Sequence, residues 1–271
     1  MNKNIQLRKA QLYIANEIKR ICDLHQIKYF LDCGSMLGAI RHQGFIPWDD
    51  DMDIGMLKSE YNRFLEIAPS ELGDDFFLDN YQTNPDNALV FSKVRLKGTK
   101  YIEAKGCEHS KHNEVFVDIF PYYFISDNER ERKWEAVIMA GLSQAILSKS
   151  GHRIWKGEPF TKRLKCIPTD LIGACCSKKK MHEWINKLYY KHTETARVCI
   201  HAGSCYSYWF FPRTVFSEYI NIQFEGNTFK IPKQYDTYLS TVYGNYMEIP
   251  PENKRITHRI LELDMGPYIF D

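Results

Sequence analysis

Long apolar runs are missing from this chain. None of its 271 residues lies in a stretch that approaches the roughly 18 uninterrupted apolar residues of a membrane-spanning helix. The first twenty residues alternate charged with apolar side chains and lack the continuous apolar run of a signal peptide. Internal repeats and low-complexity linkers are also absent from the sequence. These absences predict a globular protein that folds in the cytoplasm.

Net charge and paired cysteines are scarce as well. The formal net charge is only +2, which is too small to indicate nucleic acid binding through neutralised phosphates. The eight cysteines form no CxxC pair, so reduced thiols are expected rather than a disulfide framework. Zinc at Cys166, Cys175 and Cys176 with a histidine is a weaker alternative, because the spacing does not match common zinc modules.

Periodicity predicts mixed helices and strands. The apolar residues Leu7, Ala10, Ile14, Ile18 and Ile21 recur every three or four positions, which places them on one face of a helix. Further helices are predicted over 36–42, from Ser59 onward, and over 128–148, 178–191 and 234–243. Strands are predicted over 29–31, 52–56, 76–78, 89–96 and 114–120, with a hairpin within 219–232. The order indicates α/β structure in the first half and a more helical second half.

One apolar segment with basic flanks has two interpretations. The run CIPTDLIGACC lies between Lys162-Arg163-Lys165 and Lys178-Lys179-Lys180. Such a segment can lie on an anionic membrane surface. A buried loop with solvated lysines on either side is the favoured interpretation.

The acidic run IPWDDDMDIGM is the most informative segment. Alternate residues of a strand share a face, so Asp49, Asp51 and Asp53 are expected to point one way and Asp50 the other. Three carboxylates on one face suit a hard divalent cation, Mg²⁺ or Mn²⁺ beside phosphates. A charged surface loop is the alternative. A calcium loop is disfavoured because Ile54 occupies the position that needs glycine.

Three other groups could complete a phosphoryl-transfer site. Gly34 and Ser35 lie at a predicted turn from strand to helix, where the backbone can approach a phosphate. Lys93 and Arg95 share one face of a predicted strand and could hold phosphate oxygens, although such a pair is also common on surfaces. Asp118 is a lone carboxylate in the apolar run VFVDIFP and needs a partner if buried.

The run LDCGSMLGAIRHQGFIPWDDDMDIGM strongly resembles the LicD family, which includes the fukutin-related transferases. The resemblance continues through FSKVRL, VFVDIFP, YLSTVYGNY and PPENKRITH. It implies an α+β fold of the nucleotidyltransferase type, with a mixed sheet flanked by helices and a more helical C-terminal elaboration. It further implies a catalytic core over 1–125 and an acceptor-binding elaboration over 126–271, with 219–258 packing back on the core.

The resemblance also implies an activity. The expected reaction transfers a substituted phosphate, phosphocholine above all, from a CDP-activated donor such as CDP-choline to a hydroxyl of a surface glycan or its lipid-linked precursor. The implied metal ligands are Asp49, Asp51 and Asp53. The implied catalytic carboxylates are Asp51, Asp53 and Asp118, of which Asp118 or Asp51 would act on the acceptor hydroxyl. Arg41 and His258 lie in family-like segments and are expected at the donor site with Gly34, Ser35, Lys93 and Arg95.

Two other functions stay open from the sequence alone. The chain could be a nucleotidyltransferase that modifies a small molecule, or a binding protein without catalysis. Membrane contact of a peripheral kind is also open.

The second half is expected to select the acceptor through aromatic side chains, or those side chains fill a second core. The aromatic residues concerned are Trp155, Trp184, Tyr206, Tyr208, Trp209 and Phe210.

Overall fold

The computed structural model describes residues 3–103, 112–151, 160–200, 209–255, 257 and 260–270. Its α-helices are α1 Lys3–Leu24, α2 Cys33–His42, α3 Lys58–Glu71, α4 Glu129–Lys149, α5 Phe160–Cys175, α6 Lys178–Tyr189 and α7 Tyr235–Tyr243. Its strands are β1 Phe30–Leu31, β2 Asp53–Leu57, β3 Phe76–Asp79, β4 Ser92–Leu96, β5 Lys100–Glu103, β6 Phe116–Ile125, β7 Arg197–Ile200, β8 Phe210–Pro212, β9 Tyr219–Phe224, β10 Asn227–Pro232 and β11 Ile260–Asp264.

A seven-stranded mixed sheet forms the centre of the molecule. Five strands run in the order β1-β2-β6-β4-β3, and β7 and β8 continue from the distal half of β6. Strands β2 and β6 are parallel, with Asp53 opposite Asp118, while the other pairs are antiparallel. This mixed sheet with its flanking helices confirms the predicted α+β fold class. The parallel pairing matters for function because it places two acidic residues side by side.

Helix α1 buries the stripe that its periodicity predicted. Leu7, Ala10, Ile14 and Ile18 are all buried against the sheet. Helix α3 covers the same core with Tyr61, Phe64 and Ala68, the apolar side of its sequence. The two helices contact each other as well as the strands. One part of the large core cluster therefore lies between this helical layer and the sheet, and the cluster continues to α2, the β9–β10 hairpin and α7.

A second, smaller core lies between α4, α6 and the distal half of the sheet. Met139, Leu142 and Ile146 of α4 pack there with Met181 and Ile185 of α6. The predicted boundary near residue 125 coincides with the end of β6, but β7 and β8 extend the same sheet beyond it. The division into a core over 1–125 and an elaboration over 126–271 stays a prediction.

The segment 166–176 differs from the favoured interpretation as a buried loop. All of it except Cys176 belongs to α5, which packs on α4 through Cys166 and Gly173 and exposes Ile167, Leu171 and Ile172 on its other side. The prediction was wrong because only one narrow side of the segment meets a neighbouring element. None of the helices in the described ranges has an apolar window long enough to cross a bilayer.

Candidate active site

A cavity of about 420 Å³ opens between α2, the acidic loop and the chain that follows α7. Its inner wall carries Gly34 and the carboxylates of Asp49, Asp51 and Asp53. Its outer wall consists of residues from Tyr243 to Arg255. The cavity thus joins the acidic run to a segment nearly two hundred residues later in the chain.

The acidic loop has its shape from contacts with α1. Strand β2 begins only at Asp53, so residues 49–52 are not in the strand that the alternation argument assumed. The Arg8 guanidinium donates to the carbonyls of Ile46, Pro47 and Asp49, each at 2.9 Å. These long-range bonds bend the backbone away from an extended conformation, which is the reason for the difference.

Three of the four acidic side chains still face one space, and Asp50 faces another. Asp49, Asp51 and Asp53 line the cavity, whereas Asp50 is buried and accepts a hydrogen bond from the Tyr101 hydroxyl at 3.2 Å. The backbone of Asp50 is fixed by the Gln11 side-chain amide, which donates to its carbonyl at 2.7 Å. The loop therefore presents several acidic side chains to one space although it is not a strand.

Two observations indicate that the acidic side chains suit a divalent cation. Asp49, Asp50 and Asp51 can each place one carboxylate oxygen within 4.8 Å of the others, a spacing that one ion could bridge. Burial raises the pKa of the Asp53 carboxyl well above its usual range, and the charges of Asp51 and Asp118 raise it further. Such repulsion is relieved by a cation. Asp49 and Asp51 belong both to this cluster and to the cavity wall.

Asp118 stands next to Asp53 across the parallel pair β2 and β6. Its Oδ1 forms an ion pair with Lys93 Nζ at 2.5 Å, and both side chains are almost buried. The Lys93 ammonium also lies 3.3 Å from the centroid of the Phe116 ring. The structure thus brings Lys93 and Asp118 to the edge of the acidic cluster and supplies the partner that a lone carboxylate needed.

Gly34 and Ser35 lie in the first turn of α2, which begins at Cys33 and not at Met36 as expected. A Cβ atom on Gly34 would lie 2.6 Å from Asp49 Oδ2, so only glycine lets that carboxylate approach. The Ser35 hydroxyl is buried and accepts from the Asp53 backbone N–H at 2.9 Å. Ser35 consequently positions the start of β2 and does not line the cavity.

Buried hydroxyls brace the turn that precedes α2. Asp32 is fully buried, and its Oδ1 accepts from the Cys33 N–H at 2.8 Å and from the Tyr122 hydroxyl at 2.6 Å. The Tyr238 hydroxyl of α7 donates to the same oxygen. Asp32 was not expected at the site. It ties α2, β6 and α7 together directly behind Gly34.

Cations and aromatic rings form the outer part of the cavity. Two guanidinium groups lie near the Trp48 ring, with Arg255 Cζ 4.3 Å and Arg41 Cζ 5.8 Å from its centroid. Arg41 Nη1 donates to the carbonyls of Tyr246 and Glu248, which holds the late segment against α2. This arrangement gives the acidic cavity a positively charged rim.

Several of these cavity residues were missed by sequence reasoning. They are Trp48, Tyr243, Tyr246, Lys254 and Arg255. All of them lie inside the motif-like runs quoted for the resemblance, so the signal was present although no role was attached to it. The expected donor contact of His258 falls outside the described residues.

Arg95 is not brought into the cavity. Its Nε donates to Asp79 Oδ2 at 2.6 Å in a buried ion pair, and its Nη1 donates to the Glu114 carbonyl at 2.9 Å. With these bonds the guanidinium fixes β4 to β3 and to the loop before β6. We therefore assign Arg95 no contact with the donor.

Three of the six aromatic residues expected to select the acceptor lie in described parts of the chain. Phe210 and Trp184 pack against the second core, and Trp209 packs against the large one. Trp155, Tyr206 and Tyr208 lie outside the described residues. An acceptor role for this set stays a prediction.

Comparisons with known proteins agree with the motif resemblance. The family model described as "LicD/FKTN/FKRP, nucleotidyltransferase domain" matches residues 26–141. The lipopolysaccharide cholinephosphotransferase LicD of Haemophilus influenzae is 27% identical over 292 residues, which cover 96% of this chain and 98% of that protein. The ribitol 5-phosphate transferase FKRP of Mus musculus is 26% identical over 117 residues, which cover 43% of this chain and 20% of that protein.

Proposed function

Because residues 26–141 form a nucleotidyltransferase domain of the LicD/FKTN/FKRP family, we propose that this chain transfers phosphocholine from CDP-choline to a glycan hydroxyl. The chain is a phosphotransferase, in line with the relatives that match it. The observation that carries the finer proposal is the cavity itself. It combines a metal-compatible acidic cluster, a cationic rim and a group of aromatic rings.

The acidic loop is proposed to hold Mg²⁺ or Mn²⁺ through Asp49, Asp51 and Asp53. Such an ion, when bound beside the donor diphosphate, would offset the charge that develops on the departing CMP. Gly34 contributes by leaving room for the Asp49 carboxylate, and Ser35 by fixing the backbone of Asp53. The protein residues therefore set the position of the carboxylates before any ligand arrives.

The rim is proposed to bind the two ends of the donor. Arg41, Lys254 and Arg255 supply positive charge for diphosphate oxygens, as charge-assisted hydrogen bonds require. Trp48 and Tyr243 supply aromatic faces, the surfaces that bind quaternary ammonium groups such as choline. Aromatic rings close to carboxylates favour a cationic alcohol on the donor over ribitol or glycerol.

The acceptor step is assigned to the neighbouring carboxylates. The acceptor oxygen attacks the phosphorus that carries choline, its proton passes to a carboxylate, and the bond to the CMP oxygen breaks. Asp118 is suited to receive or orient that proton because, among the described residues, its one side-chain bond is from Lys93 to Oδ1. Asp51 is the alternative, although a carboxylate bound to a metal is a poor base.

Thermal unfolding with candidate donors tests this function. CDP-choline, CDP-ethanolamine, CDP-ribitol, CDP-glycerol and CTP are compared with and without Mg²⁺. A ligand at about 100 times its Kd stabilises the native state by ~2.7 kcal/mol. We expect the largest Mg²⁺-dependent shift with CDP-choline and none in Asp51→Ala. A shift with CTP alone, followed by transfer of CMP to an added acceptor in mass spectrometry, would favour a nucleotidyltransferase instead.

We also propose that α4 and α5 contact an anionic membrane surface. Residues 129–191 contain 14 lysines and arginines against six acidic residues, although the whole chain has a net charge of only +2. Exposed apolar side chains accompany this charge, with Trp134 at 70% and Leu171 at 60% exposure. Basic charge beside an apolar helix face favours binding to anionic headgroups.

Vesicle sedimentation separates this contact from self-association. The intact chain should pellet with vesicles that contain phosphatidylglycerol and stay in solution with phosphatidylcholine alone. Leu171→Ser should reduce pelleting, whereas Leu261→Ser, an equally exposed leucine on β11, should not. The alternative outcome is a dimer in light scattering that Leu171→Ser dissociates, together with no binding to vesicles. That result would assign the apolar face to contact with a second copy of this chain.

A further inference from the structure

A second cavity, of about 360 Å³, lies between α3, the connection from β3 to β4, and α6. It shares no lining residue with the acidic cavity. Both halves of the chain build it, since Lys58 and Tyr61 come from α3, His182 comes from α6 and Tyr190 directly follows α6. Its size is within the range of small-molecule sites.

Aromatic rings and amides form most of its wall. Tyr81 stacks on His182 with ring centroids 4.1 Å apart and planes 8° apart, and its hydroxyl accepts from the Asn186 amide at 2.9 Å. Phe91 and Tyr190 provide further ring faces, and Asn80 and Gln82 provide amides. Flat rings alternating with neutral hydrogen-bonding groups match the alternating C–H faces and hydroxyls of a sugar ring.

A single ammonium group lies among these rings. Lys58 Nζ is 4.8 Å from the centroid of Tyr61, 5.3 Å from Tyr189 and 5.9 Å from Tyr190. No carboxylate in the described part of the chain forms an ion pair with it, and the cavity's one acid, Glu66, is exposed. Burial lowers the pKa of the Lys58 ammonium to about 8. A half-buried cation held only by ring faces leaves room for an anionic partner.

The His182 imidazole completes the aromatic part of the wall. The residue is 3% exposed, and its Nε2 is itself buried, so it is the ring stacked on Tyr81 and not a hydrogen-bonding atom that contributes to the cavity. Burial lowers the pKa of this imidazole to about 4, so it is neutral at physiological pH and does not compete with Lys58 for an anion.

From these contacts we infer that the second cavity binds a sugar residue bearing a carboxylate or a phosphate. Lys58 pairs with the anionic group, and Tyr81 and Tyr190 face the ring. The inference rests on the proposed function in one respect: the bound residue would belong to the acceptor glycan. Binding itself requires no catalysis.

Contacts through β4 connect this cavity to the acidic one. The Tyr61 hydroxyl and the Asn80 amide both bond to Ser92 Oγ, at 2.6 and 3.3 Å. Ser92 directly precedes Lys93, the partner of Asp118, and Lys93 Nζ lies 5.4 Å from the Phe91 ring at the cavity wall. A glycan held here would therefore lie beside the strand that carries the catalytic ion pair.

Saturation-transfer NMR on the full chain tests the site with three probes: glucuronate, glucose 6-phosphate and glucose. At least one anionic probe should bind about tenfold or more tightly than glucose, and which one binds identifies the carboxylate or the phosphate as the anion. Lys58→Met should abolish this preference and Lys58→Arg should keep it. If Lys58→Met fails to fold, Tyr190→Ala, which removes an exposed ring, is expected to weaken anionic sugar binding instead.

Binding in Asp53→Asn should equal that of the unmodified protein, and excess CDP-choline should not displace the sugar. Equal binding of glucose and both anionic probes, no binding of either anionic probe, or unchanged binding in folded Lys58→Met would each overturn the inference. Displacement by CDP-choline would also overturn it, because the sugar would then be in the acidic cavity. Since these titrations measure sugar binding and require no turnover, they distinguish failure of this inference from failure of the proposed transfer activity.

Discussion

The hydroxyl of Tyr238 gives a measurable prediction about how the site is held together. Tyr238→Phe removes one of the three donors to the buried Asp32 oxygen. A hydrogen bond to a charged group is worth ~1.5–3 kcal/mol. Because the phenylalanine ring keeps the packing of Tyr238 against Phe211, no cavity term is added. We therefore expect the free energy of unfolding to fall by ~1.5–3 kcal/mol.

Urea denaturation followed by circular dichroism measures this change, with the slope m expected to stay constant. Tyr235→Phe, about one turn earlier on α7, is the matched control and should change stability by less than ~0.5 kcal/mol. A double-mutant cycle with Tyr122→Phe should give a coupling energy above ~0.5 kcal/mol, since both hydroxyls share one acceptor. Equal losses for Tyr238→Phe and Tyr235→Phe would refute the bracing role of Asp32.

Three further predictions concern the chemistry. Asp51→Ala should lower turnover more than ~10-fold. It should not lower the melting temperature, because it removes a like charge from a crowded cluster. Turnover within ~10-fold of the unmodified protein would remove Asp51 from the mechanism. Arg255→Ala should weaken CDP-choline binding by ~10–100-fold in calorimetry, since it removes a cation at the cavity rim. Lys233→Ala, a surface control, should leave the Kd unchanged. Replacing both Cys175 and Cys176 with serine should keep full activity. Stoichiometric zinc in the purified unmodified protein that is lost in this variant would contradict the prediction that these thiols are reduced and dispensable.

Much of the fold could be predicted because its signals are local. The periodicity of α1 and the apolar run of β6 are visible in short windows of sequence. The hairpin β9–β10 is marked by its Glu225-Gly226 turn. Helix α5 was not predicted, since an apolar run of that length can be a loop or a helix, and only its one-sided contact with α4 decides between them.

The site was predictable to the extent that its residues cluster in the chain. Asp49, Asp51 and Gly34 lie within 18 residues of one another, and a motif reveals them. The position of Asp118 beside Asp53 depends on parallel strand register, and the approach of Arg255 to Trp48 depends on tertiary packing. Neither can be read from local patterns. The exclusion of Arg95 likewise depends on Asp79, a partner on the neighbouring strand.

The bonds from Arg41 to the carbonyls of Tyr246 and Glu248 have a consequence for the nascent protein. A chain is synthesised from its N-terminus, and a domain generally folds as a unit. On the ribosome, the acidic loop and α1 have already emerged while the segment that forms the outer wall of the cavity is still to be made. The donor could then bind only after residues 243–255 have emerged. Donor present in the cell would thus selectively stabilise chains that contain this segment over chains that lack it, which would be left to proteolysis.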